Sequence, residues 1–167
     1  MRKLYIQAVS ALNCDDDWHE FNGKCYFATT VKKSYSDNLN YCRKLNADVA
    51  SIHSKKETEF LLKLTESYEH YWIGGRRIVP KKHVFGWSDG SEFNYTNWDK
   101  SSNDPNNLNE RENCIIFVRD SGLWWDFPCN EPHYAFCQRT EMQQVVAKFA
   151  IEDGKQQAIV IKQKEKY

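Results

Sequence analysis

The chain has 167 residues, 41% hydrophobic and 14% aromatic, enough for one packed core and too much for disorder throughout. Its 23 basic and 23 acidic side chains leave a formal net charge of zero, which gives no electrostatic reason to expect nucleic acid or an anionic membrane as partner. No apolar run is as long as a membrane span.

Residues 1–13 read as a lead, a remnant signal region. Met1-Arg2-Lys3 is a basic start, but the apolar segment Leu4 to Leu12 is short and is broken by Gln7. Cys14 and Cys25 then flank Trp18, Phe21 and Asn22-Gly23, a pair that tolerates positive φ and predicts an N-terminal hairpin with Tyr26 and Phe27 in its second strand. Ser34 and Asp37 suit the cap and first turn of a helix, and Leu39, Cys42 and Leu45 recur at helical spacing, so Cys42 faces the core. Ser54-Lys55-Lys56-Glu57 is a capping box, and Phe60, Leu61 and Leu64 predict a second helix ending near Ser67. Tyr71-Trp72-Ile73-Gly74-Gly75 reads as a short buried strand closed by glycines, and Phe85-Gly86-Trp87 as another before the turn Ser88-Asp89-Gly90-Ser91. Trp72, Trp87, Trp98 and Trp124 are expected in the core.

From Asn97 to Asn113 the chain is crowded with oxygen-bearing side chains, too polar for a core and too long for an idle loop. The apolar strand Ile115-Ile116-Phe117-Val118 follows, then Asp126 beside Trp124 and Trp125, with Cys114 and Cys129 bracketing the segment. Asp104, Asn106, Glu112 and Asp126 supply the carboxylate and amide oxygens that a hard cation prefers. Six cysteines without a Cys-x-x-Cys pair or a zinc-type Cys/His cluster read as disulfides and imply an oxidising compartment. If the chain is exported, Asn94-Tyr95-Thr96 is an N-glycosylation acceptor. Residues 140–167 form an extension in which Met142, Val145, Val146 and Phe149 fit a helical face, while Asp153-Gly154 fits a hairpin turn. The five histidines are scattered, and no His-Glu-x-x-His, Gly-x-Ser-x-Gly or phosphate loop occurs, so catalysis is not expected.

In sequence order, Cys14, Cys25, Cys42, Trp72-Ile73-Gly74-Gly75, Asn97-Trp98, Asp104-Pro105-Asn106, Glu112-Asn113-Cys114, Trp124-Trp125-Asp126, Cys129 and Cys137 resemble the long form of the C-type lectin-like domain. The resemblance spans residues 14–139. It implies an α+β fold with two helices flanking small antiparallel sheets, a long irregular ligand loop, and bridges Cys14–Cys25, Cys42–Cys137 and Cys114–Cys129. It also implies a principal calcium site made of Asp104, Asn106, Glu112 and Asp126. The family's Glu-Pro-Asn stands here as Asp104-Pro105-Asn106, its proline usually cis, and its Trp-Asn-Asp as Trp124-Trp125-Asp126. Trp125 thus replaces an Asn ligand and becomes either a stacking platform for a sugar or a plug. The acids of the family's auxiliary calcium site are replaced by Ile78 and the basic Lys81-Lys82 region. The implied function is a secreted, calcium-dependent module binding mannose, glucose, N-acetylglucosamine or fucose through Asp104, Asn106, Glu112, Trp125 and Asp126. The alternative is a lectin-like domain without sugar binding that recognises a protein partner.

Overall fold

In a computed structural model the chain is described over residues 4–5, 14–65, 70–140, 145–150 and 156–161. These residues belong to two compact units, residues 16–140 and residues 1–15 with 141–167. The chain opens with the short strand β1 (Leu4–Tyr5) of the smaller unit.

The larger unit begins with the expected hairpin, β2 (His19–Phe21) and β3 (Lys24–Ala28), turned by Asn22 and Gly23 at φ 49° and 81°. Helix α1 (Tyr35–Lys44) starts where Ser34 Oγ accepts from the Asp37 N–H at 3.2 Å. After β4 (Asp48–Val49), helix α2 (Lys55–Leu62) is capped by Ser54 Oγ, which accepts from the Glu57 N–H at 3.1 Å. The return arm of the capping box is displaced by one residue. Glu57 Oε2 accepts from the His53 N–H at 2.7 Å, and Oε1 accepts from the Tyr26 hydroxyl, so the cap also ties the helix to β3. Burial, reinforced by Glu57, holds the Tyr26 phenol far above its ordinary pKa. The helix stops at Leu62 rather than near Ser67, because Lys63 and Leu64 turn back onto the Phe60 and Leu61 carbonyls and Thr65 Oγ1 donates to the Leu62 carbonyl at 2.8 Å. Ser67 itself lies outside the described residues.

Five strands follow, β5 (Tyr71–Arg77), β6 (Phe85–Trp87), β7 (Glu112–Phe117), β8 (Trp124–Pro128) and β9 (Tyr134–Thr140). The sheet runs β2-β3-β9-β5-β7-β8, with β4 on β9 and β6 on β5. It is mixed where small antiparallel sheets are the sequence expectation, since β5 and β9 pair in parallel through Tyr71 with Tyr134 and Trp72 with Ala135. The connection between them runs through β6, β7 and β8, long enough to bring the chain back in the same direction. Strand β7 shows why both faces are apolar. Ile115 and Phe117 pack on one side with Leu61 of α2, Tyr26, Ile73, Trp124 and Phe136, while Cys114 and Ile116 pack on the other with Tyr35 and Cys42 of α1, Trp72 and Cys137. Each such fully buried Ile, Leu or Phe contributes about 1.5–3 kcal/mol.

Two bridges cross this core, Cys42–Cys137 between α1 and β9 and Cys114–Cys129 between β7 and the end of β8, and Cys14 and Cys25 are both disulfide-bonded as well. In the chain-entropy account, the first two stabilise by about 4–5 and 3 kcal/mol. Between Ile73, opposite Ile115, and Arg76, opposite Cys114, strand β5 bulges. A Cβ on Gly74 there would stand 2.5 Å from the Val49 carbonyl oxygen, which explains the glycine. Past the bulge Arg76 is exposed and Arg77 is buried.

The smaller unit is a three-stranded antiparallel sheet in which β1 pairs with β10 (Val145–Ala150) and β10 with β11 (Gln156–Ile161). Of the two readings open for the extension, the strand hairpin is the one adopted; Asp153-Gly154 lies outside the described residues.

Candidate functional site

The loop between β6 and β7 is stitched to β8 at its start. The Trp124 N–H donates to the Asn97 carbonyl at 2.9 Å and the Asp99 N–H to the Trp124 carbonyl at 3.0 Å. The Asp104-Pro105 bond is cis, and Asn103, Asn107 and Asn109 take left-handed conformations at φ 63°, 52° and 53°. Asparagine is among the few residues that adopt this region readily, so the asparagine-rich composition is what lets the loop turn so often.

Asp126 stands at the centre, 1% exposed, with Asp104 and Glu112 buried beside it. Asp126 Oδ1 accepts from the Asn106 N–H and Oδ2 from the Asn107 N–H, both at 2.8 Å. Glu112 Oε2 accepts from the Leu108 N–H at 2.6 Å, and the Glu112 N–H donates to Asn107 Oδ1 at 3.2 Å. Asp104 accepts from the Ser102 hydroxyl and, at 3.4 Å, from the amide of exposed Asn106. Burial pushes the Asp104 carboxyl up to about 6, with Asp126 adding to the rise and the Ser102 hydroxyl opposing it. Glu112 is also raised, first by burial. The four oxygen donors singled out in the sequence therefore meet where the loop returns to β7 and β8.

Over residues 31–139 the sequence matches the family described as Lectin C-type domain. The chain belongs to the C-type lectin domain family. Ladderlectin of Oncorhynchus mykiss is 36% identical over 129 residues, covering 74% of this chain and 66% of ladderlectin. C-type mannose receptor 2 of Mus musculus is 33% identical over 130 residues, 77% of this chain but only 9% of the receptor. Among solved structures, the cow CD23 carbohydrate-recognition domain, crystallised in the presence of a GlcNAc2Man3 oligosaccharide, superposes with a TM-score of 0.70 at 31% identity, covering 77% of this chain and 97% of that one.

Two further features shape the site of this C-type lectin domain. The alternation of β8 puts Trp125 on the face opposite Asp126. There it is half-buried in the core cluster of Trp72 and Ile116, 5.2 Å from the His70 ring, and its indole N–H donates to Asp99 Oδ2 at 2.9 Å. Hydrogen bonds from Ser101 and then from this indole hold the Asp99 carboxyl down at about 2. The second feature is Arg77, which sequence reasoning passed over. Its side chain is 1% exposed, and its guanidinium donates to Asp126 Oδ2 at 2.6 Å, to the Glu112 carbonyl at 3.0 and 3.2 Å and to the Lys82 carbonyl, with the Phe85 ring 4.6 Å away. The available signal was the pair Arg76-Arg77 at the end of a buried strand, where alternation must turn one arginine inward to face acids across the sheet.

Calcium needs several oxygens turned toward one point. Here Asp126 Oδ2 accepts from both the Asn107 N–H and a buried arginine guanidinium, that of Arg77, whose charge already offsets the carboxylate; Asp126 Oδ1, Glu112 Oε2 and Asp104 are turned to the Asn106 N–H, the Leu108 N–H and the Ser102 hydroxyl. Among the described residues, no three acidic, histidine or cysteine side chains form a group able to hold a metal. The donor set has the chemistry for the ion, but its arrangement does not fit one.

Proposed function

We propose that this C-type lectin domain is an extracellular carbohydrate-binding module that meets mannose-, glucose-, N-acetylglucosamine- or fucose-type sugars through its 104–112 loop, without a resident calcium ion. The observation that carries the reading is the Asp104-Pro105-Asn106 unit, anchored by the Asn106 and Asn107 N–H groups to buried Asp126. A carboxylate and an amide held on a pinned backbone lose little freedom on binding, which favours recognition of hydroxyl groups. Two similar proteins support the sugar class: one is named as a mannose receptor, and the other was solved with a mannose-containing oligosaccharide present. The family typically binds calcium. In this chain the sugar hydroxyls would instead hydrogen-bond with the exposed Asn106 amide and donate to the Asp104 and Glu112 carboxylates, whose oxygens can each accept a second hydrogen bond. Three bridges support an oxidising compartment, where exposed Asn94 would carry an N-glycan. Among the described residues no helix is long and apolar enough to cross a membrane. The reading assigns binding and no catalytic step.

A second reading, recognition of a protein, is favoured by exposed apolar side chains beside the same loop. Ile78, Val79 and Val84 lie on the β5–β6 turn and Leu108 on the loop, and Lys81 and Glu110 join the two at 2.8 Å. Columns of immobilised mannose, N-acetylglucosamine and fucose, run in chelator and again in calcium, separate the two. Retention in both buffers is expected, lost in an Asp104→Ala/Asn106→Ala variant that melts as the parent does. Retention only with calcium overturns the calcium-free part of the proposal, and no retention on any sugar favours the protein ligand.

A further inference from the structure

We infer that Arg77 is the resident cation of the ligand loop, a guanidinium that neutralises Asp126 and cross-links three segments, so that the loop closes in calcium-free solution. The inference rests on the calcium-free part of the proposed function and deepens it. It does not depend on which ligand the loop binds.

A bound metal ion would do two things in such a loop. It would offset crowded carboxylate charge, and it would draw oxygens from separate chain segments onto one centre. Arg77 does both with the fixed fork of a guanidinium. It meets a carboxylate of β8 (Asp126), the first main-chain carbonyl of β7 (Glu112) and a carbonyl of the β5–β6 turn (Lys82), while the Phe85 ring lies against it. Desolvation explains why its absence would be felt. Arg77 and Asp126 are 1% and 0% exposed at their side chains, so either one alone would be a buried unpaired charge. Neutralised Asp126 then presents its oxygens to the Asn106 and Asn107 N–H groups, and those two hydrogen bonds seat the loop on β8. The β5 bulge is what delivers the side chain, since it sets Arg76 outward and Arg77 inward.

The test is made on the intact chain without any sugar. Melting in 5 mM EDTA and in 5 mM calcium chloride is expected to agree within about 1 °C, and the Asn106 and Asn107 amides should be protected from hydrogen exchange in EDTA. Arg77→Gln should lower the melting temperature by about 10–20 °C. Arg77→Gln/Asp126→Asn should recover at least half of that loss, because it removes the stranded charge along with the cation. A gain of several degrees with calcium in the parent chain would overturn the inference. So would free exchange of the two amides in EDTA. If Arg77→Gln fails to fold, the double variant decides alone: recovery of a cooperative melt supports the role in neutralising Asp126, and a double variant that also fails to fold reduces Arg77 to a packing residue and overturns it.

Discussion

Asp104 is the residue at which charge and burial conflict most openly. Burial beside Asp126 raises its folded pKa to about 6 from an ordinary 3.8. A raised carboxyl binds its proton more tightly when folded, so the stabilisation is complete below about pH 4 and is lost as pH rises through 6. Asp104→Asn, which keeps an oxygen for the Ser102 hydroxyl, should therefore be the more stable chain at pH 7, by about 1–2 kcal/mol once solvent near the loop is allowed for. Melting curves from pH 4 to 8 check this, and parallel profiles for parent and variant would refute it. The four oxygen donors were legible in sequence because oxygen-rich loops have few uses. Arg77 was legible only in part, because alternation says that one of Arg76 and Arg77 turns inward, while which one depends on a bulge two residues earlier and so on the strand that lies alongside. Trp125 was ambiguous for a similar reason. A platform and a packed indole have the same composition, and only the phase of β8 distinguishes them.

At the scale of elements, punctuation residues were the most reliable guides. Asn22-Gly23 gave its hairpin, and Ser34 and Ser54 gave helix starts, since each acts on residues no more than a few positions away. Helix α2 ran short because its end is set by Thr65 and the last carbonyls rather than by the apolar period. The parallel pairing of β5 with β9 had no local signal, because it joins segments some sixty residues apart. Gly74 was read as a strand terminator, but it is mid-strand, and main chain rather than a flexible side chain limits its space. Gly74→Ala should cost about 2–4 kcal/mol by pushing β5 off β4. Denaturant unfolding measures that cost, and a loss under 0.5 kcal/mol would mean that the bulge yields easily.

For the molecule as a whole, the division into two units makes residues 14–140 a candidate for independent folding. Expressed in an oxidising host with all six cysteines, this fragment should melt in one cooperative transition and give the same sugar-column result as the full chain. A broad, non-cooperative melt would show that the smaller unit is needed. The long Cys42–Cys137 bridge, with a sequence separation of 95, has a corollary. It closes a span of chain that holds strands β5 to β8 and the whole 104–112 loop. A single cut in that loop would therefore leave both fragments covalently joined until the bridge is reduced.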